Sequence, residues 1–255
     1  MKKTFQVILF ILAAIVSTFS LCEETIKIVT EEYPPYSYSE NGKITGIATE
    51  TVEAVLNDLG NETEIKIYPW ARAYKMALNE KNVLIFGLNR TQEREDLFKW
   101  VGFITSNSLA FFSLQTRSDI GINSLNDAKK YDVGVIIEDS GAQHLLSKGF
   151  TRITPVNSDI QNLTKLLIGR IDLWLTDELN GYYVFKKNGH DPNKFIIKYD
   201  FQISSGLYMA FSKNTSDELV EEFRESLDNI KENGTYSKIV QKYKYKTWTS
   251  HDLVD

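Results

Sequence analysis

The chain has 255 residues, 42% hydrophobic and 25% charged, with 14 Gly, 5 Pro and a single Cys. That composition excludes a disordered chain and a disulfide scaffold, and a formal charge of −5 excludes a general nucleic-acid binder, which needs a basic face for phosphates. His144, His190 and His251 lie far apart with no thiol partners, so neither a metal site nor a cofactor is expected.

Residues 1–22 open with two lysines, run almost unbroken apolar from Phe5 to Val16, and turn small and polar up to Cys22. That layout is a secretory signal peptide, too short in its apolar part for a permanent span. Cleavage after Cys22 removes two lysines and no acid, taking the charge from −5 to −7, and places the mature protein in the periplasm. Acylation at Cys22 is the alternative, disfavoured by bulky Phe19 and Leu21.

The remainder alternates strands and helices. Residues 25–30 alternate like a strand that Tyr33-Pro34-Pro35-Tyr36 breaks. Val52, Val55, Leu56 and Leu59 mark one face of a helix over 47–59 that Gly60 ends. A strand at 65–68, a helix at 70–79 and a continuous apolar run at 83–88 follow, the last as expected of a buried parallel strand. From Ser124, which caps a short helix, the rhythm restarts: strands at 132–137, 173–176, 195–199 and 206–211, helices at 141–148, 160–169 and 178–187. Two amphipathic helices, split at Asn233-Gly234, end the chain over 217–243. Such alternation implies α/β units with parallel sheets, in which ligands sit beyond the carboxyl ends of the strands. The loops there hold Tyr33, Tyr36, Trp70, residues 89–94, residues 138–140 and Asp177.

Four stretches make the reading specific: T-E-E-Y-P-P-Y-S-Y with N-G-K-I-T-G-I-A-T-E-T-V, N-R-T-Q-E-R-E-D-L-F-K-W-V-G, I-G-R-I-D-L-W-L-T-D, and N-G-T-Y-S-K-I-V-Q-K-Y. In this order they resemble the family 3 bacterial extracellular solute-binding proteins, which include periplasmic receptors for polar amino acids. The resemblance implies a two-lobed α/β fold of the type II periplasmic-binding-protein kind, parallel-rich, with two strands crossing as a hinge. It places lobe 1 at 23–112 plus 207–255 and lobe 2 at 113–206. It implies that Arg94 clamps a ligand carboxylate, a task suited to a planar guanidinium, although a surface ion pair with Glu93 or Asp96 is the plainer role. Asp177 would receive the ligand ammonium, or simply cap the helix after it. Tyr33 and Trp70 would sandwich the ligand side chain, or belong to the core, where Tyr36, Trp100 and Trp174 are placed. Gly87 and Asn89 would meet the ligand's backbone groups, glycine allowing close approach.

The chain departs from that pattern at Glu138-Asp139-Ser140-Gly141. The resemblance implies a Gly/Ser/Thr-rich turn here, whose helix amides help hold a carboxylate. Asp139 or Ser140 as an N-cap accounts for the acids; acids facing the cleft would favour a cationic or polyamine-like ligand. The expected function is a monomeric periplasmic receptor that closes around a small polar solute, an amino acid or related amine, and serves an inner-membrane ABC permease or a sensor. A dehydratase-like lyase, with Glu138 or Asp139 near Asp177 as acid and His144 as base, and a sensory module without a transporter are the alternatives.

Overall fold

The computed structural model describes residues 25–204 and 206–244. The expected export segment at 1–22 lies outside the described residues.

The first five-stranded sheet contains β1 (Lys27–Thr30), β4 (Ile65–Ile67), β5 (Val83–Asn89), β6 (Phe98–Thr105) and β12 (Leu207–Ser212), in the order β4-β1-β5-β12-β6. β1 runs parallel to both neighbours, and β12 is antiparallel to β5 and β6. All seven residues of β5 are buried, because helices cover both faces of the sheet. Successive side chains take opposite faces. Ile28, Leu84 and Phe86 therefore pack with Val52 and Val55 of α1 (Ile47–Asp58) and with Phe223 and Leu227 of the helix at Asp217–Glu232. Val29, Val83 and Ile85 pack instead with Trp70, Ala73 and Ala77 of α2 (Trp70–Asn79). The last helix, Thr235–Lys244, is tied to this lobe by Tyr243, whose hydroxyl accepts from Gly46 N at 2.9 Å and donates to Glu50 Oε1 at 2.5 Å.

The second sheet contains β7 (Leu109–Leu114), β8 (Val133–Ile136), β9 (Ile153–Val156), β10 (Leu173–Asp177) and β11 (Phe195–Phe201), in the order β11-β7-β10-β8-β9. The helices α3 (Ser140–Ser147), α4 (Asp159–Leu167) and α5 (Glu178–Lys187) flank it. Phe112 and Trp174 pack with Leu163 and Phe185 on one side, while Phe111 and Val133 pack with Leu145 and Phe150 on the other. The chain crosses between the sheets at 106–108 and again between the end of β11 and the start of β12. β7 pairs with β10 and β11 from Leu109 onward, so residues 109–112, grouped with lobe 1 by the resemblance, carry ladder bonds of the second sheet. We therefore propose the lobe divisions at the two crossings.

Four strands had no counterpart in the sequence reading. A hairpin joins β2 (Tyr38–Glu40) to β3 (Lys43–Thr45) through Asn41-Gly42, both at positive φ, 51° and 77°, the dipeptide and geometry that such turns favour. β6 and β9 are the other additions to the sheets, β9 being a short edge strand that contains Pro155, as edges tolerate.

Gly87 has a structural duty inside β5. Its φ is 76°, and the β5–β12 pairing skips it, with Leu88 opposite Tyr208 and Phe86 opposite Met209. This bulge re-aims the last residues of the strand, including Asn89, toward the second sheet. An alanine here makes only ordinary van der Waals contact, with Thr30 Oγ1 at 3.7 Å from its Cβ, but adopts a left-handed backbone. Gly87→Ala is expected to destabilise the protein by about 1–2 kcal/mol, read from urea denaturation midpoints; an unchanged midpoint would remove the strain assignment.

Candidate ligand cleft between the two sheets

The loops leaving the carboxyl ends of β1, β5, β8 and β10 meet between the lobes. Arg94 sits there in a short 3-10 helix, Gln92–Leu97, and is only 1% exposed. Its guanidinium lies over the ring of Tyr74 at 4.8 Å and of Trp70 at 5.5 Å, within cation–π range. Nη2 donates to the Glu138 carbonyl at 3.0 Å and Nε to Gln143 Oε1 at 3.1 Å, both on the second lobe. Nη1 reaches the Asn89 carbonyl at 3.5 Å. Among the described residues Arg94 makes no ion pair with Glu93 or Asp96; its bonds go to Gln143, Asn89 and Glu138. Arg90 is the surface arginine, paired with Glu95 and lying over Trp100 at 5.1 Å.

Trp70 and Glu138 complete this junction. The indole Nε1 donates to the same Glu138 carbonyl at 2.9 Å. Glu138 has a φ of 62°, a left-handed backbone that costs a side-chain-bearing residue about 1–2 kcal/mol. One carbonyl of the second lobe thus receives two donors from the first. Its own side chain is exposed.

Asp139 is the N-cap of α3, accepting from Gly141 N at 2.7 Å. Ser140, 2% exposed, accepts from Asn89 Nδ2 at 3.1 Å, and Asn89 Oδ1 accepts from Ser204 Oγ at 2.7 Å. Asn89 is therefore held by the first residue of α3 and by the return crossing of the chain.

Asp177 closes the other end. It caps α5, accepting from Leu179 N at 2.9 Å and Asn180 N at 3.2 Å, and also accepts from Ser108 N and from the Tyr36 hydroxyl, each at 3.0 Å. Four donors match the lone-pair sites of a carboxylate. Tyr36, placed with the core from sequence, is thus also a cleft residue joining the lobes. Tyr33 packs against it with ring centroids 5.0 Å apart and planes tilted by 46°.

Sequence reasoning missed two acids that the fold brings to this space. Glu31 is the first residue past β1, a position where its side chain could have been expected to face a ligand. Burial raises its carboxyl well above the ordinary range, with Asp139 and Asp159 adding to the rise and Arg94 opposing it; no hydrogen bond holds it. Asp159 opens α4, accepting from Trp174 Nε1 at 3.1 Å and Asn180 Nδ2 at 2.7 Å, and burial pushes it up to about 6. Asp177 is likewise pushed up to about 6 by burial, and Asp139 is raised by burial against the pull of Arg94. Burial also raises the hydroxyls of Tyr33 and Tyr36, with Asp177 adding to both. Asp177 and Arg94 are buried and Glu31, Asp139 and Asp159 half-buried, so among these groups the carboxyls outnumber the guanidinium. Such a space can neutralise itself by taking protons or by taking a cation.

Residues 26–246 match the bacterial extracellular solute-binding proteins, family 3, and the chain belongs to that family. It is 28% identical over 223 residues to the arginine-binding extracellular protein ArtP of Bacillus subtilis (strain 168), covering 83% of this chain and 82% of that protein. It is 26% identical over 215 residues to the L-cystine-binding protein TcyA of the same organism, covering 83% and 77%. A histidine kinase sensor domain with similarity to periplasmic binding proteins shares the fold, with a TM-score of 0.78 at 19% identity over 86% of this chain and 95% of that one. The two-lobed periplasmic-binding fold is therefore the fold of this chain, and solute binding its function.

Two outcomes follow from the cleft geometry. Trp70→Phe keeps the ring and removes the bond to Glu138, a neutral hydrogen bond of about 0.5–1.5 kcal/mol; a larger radius of gyration in solution scattering is expected, and an unchanged one would show that the bond does not hold the lobes. The raised carboxyls bind protons that exposed carboxyls, at about 4, do not, so the ligand-free closed form is favoured at low pH and loses that stabilisation as pH rises through about 6. Its melting temperature should be higher at pH 5.5 than at pH 7.5; the reverse order would contradict the enclosure of these groups.

Proposed function

Starting from membership in that family, we propose that the protein is a periplasmic receptor that closes around a small cationic solute, an amino acid or related amine, and presents the closed form to an inner-membrane ABC permease. The observation that carries this reading is the gathering of Glu31, Asp139, Asp159 and Asp177 at the cleft, each raised by burial, where Arg94 acts on Asp139 and Glu31. The arginine-binding relative from Bacillus subtilis supports a cationic ligand. A signal peptide ending at Cys22 would deliver the chain to the periplasm, and a monomer suffices, since every group named comes from one chain.

Micromolar affinity corresponds to about 8 kcal/mol, whereas a charge-assisted bond contributes about 1.5–3 kcal/mol. Several acids must therefore act together, and a ligand favours closure only to the extent that it binds the closed state better. The role is that of a receptor returning its ligand unchanged. A sensory module is the second reading, which the likeness to a kinase sensor domain favours at the level of fold.

A thermal-shift panel tests the ligand class. A ligand at 100 times its dissociation constant adds about 2.7 kcal/mol to stability. L-Arginine, L-lysine or diamines should raise the melting temperature, and L-glutamate and glucose should not; a shift with L-glutamate alone would overturn the cationic reading. Affinity for the cation should weaken as pH falls from 7.5 to 5.5, because protons compete for the carboxyls with values near 6. Affinity that strengthens over this range would contradict it.

A further inference from the structure

We propose that Asp139 is a built-in replacement for a ligand carboxylate, so that the cleft takes an amine cation bearing no carboxylate of its own; this rests on the cationic-solute reading above.

A carboxylate bound in this cleft needs donors, and the donors are engaged. The Nε and Nη2 edge of Arg94, the fork that grips a carboxylate side-on, is turned to Gln143 Oε1 and the Glu138 carbonyl. The amino end of α3 is the other natural place for an anion. There the Asp139 carboxylate already accepts from Gly141 N at 2.7 Å and lies within electrostatic reach of Arg94. Asp139 thus fills the amide end of α3, where an external carboxylate would have to sit. Asn89 and Ser140 bond to each other rather than facing outward.

The acceptors show the opposite balance. The Glu31 carboxylate has no hydrogen-bond partner among the described residues. Asp159, on the opposite lobe, accepts from two donors and keeps acceptor capacity, whereas Asp177 already has four donors and adds only its charge. An α-amino acid would bring a second carboxylate beside Asp139 with no free donor to meet it. A primary amine or guanidinium brings only donors, and these match Glu31 and its neighbours.

Matched ligands that differ by one carboxylate test this: agmatine against L-arginine, and cadaverine against L-lysine, by titration calorimetry on the mature chain. Agmatine and cadaverine should each bind at least ten times more tightly than the parent amino acid. Asp139→Ser keeps a capping side chain and removes the internal carboxylate, so the preference should shrink at least tenfold or reverse toward the amino acid. Tighter binding of L-arginine than agmatine by the unaltered protein would overturn the proposal while leaving a cationic receptor. So would a preference that Asp139→Ser does not move. Binding of none of the four compounds would overturn both this inference and the cationic reading beneath it.

Discussion

A guanidinium taken out of water needs acceptors for its N–H groups and balance for its charge, and Arg94 reaches two of its three acceptors only when the lobes are together. Its acceptors on the second lobe are a backbone carbonyl and a side-chain amide, both neutral, so no carboxylate forms a direct ion pair with it. Balance comes through space, from Asp139 and Glu31. The junction of Arg94, Trp70 and the Glu138 carbonyl is therefore a polar lock set between two hydrophobic cores that each lie mostly within one lobe. Two apolar contacts cross as well: Tyr38 of β2 packs into the second-lobe core, 5.4 Å from the ring of Tyr183, and Ile136 of β8 packs against the first-lobe cluster around Trp70.

That division of labour explains how the fold serves binding. Parallel strands end at the cleft and hand over to helices or loops, placing Glu31, Asn89, Asp139 and Asp177 at the strand ends rather than within the sheets. Two of these acids, Asp139 and Asp177, cap the helices that follow them. Capping fixes their direction at little cost, because helix amides need acceptors in any case. Enclosure of the whole group is what makes the site responsive to charge: each carboxyl is more easily protonated than in water, and a cation that enters displaces those protons.

Much of this was legible along the chain. The unbroken apolar run at 83–88 became the fully buried β5, and the apolar face over 70–79 became α2 with the same limits. Asp177 and Asp139 were readable as caps because an acid between a strand and a helix has a local task. Arg94 was harder, since neighbours Glu93, Glu95 and Asp96 suggest a solvated ion pair; its burial is decided by Gln143 and Glu138, more than forty residues away. Glu31 resembles any solvated acid in a loop until the second lobe covers it, and Tyr36 looks like core until Asp177 arrives from 141 residues along the chain. Contacts of that range leave no periodic trace. The Asn41-Gly42 turn, by contrast, was local and could have been read.

The account stands or falls on Glu31 being an enclosed carboxyl that waits for a cation. Carbon-13 NMR titration of the glutamate carboxyl groups, with Glu31 assigned through Glu31→Gln, measures this directly in ligand-free and amine-loaded protein. The account predicts that Glu31 titrates well above the ordinary carboxylate range without ligand and moves down when the amine is bound. A Glu31 carboxyl titrating near 4.3 in both states would contradict it.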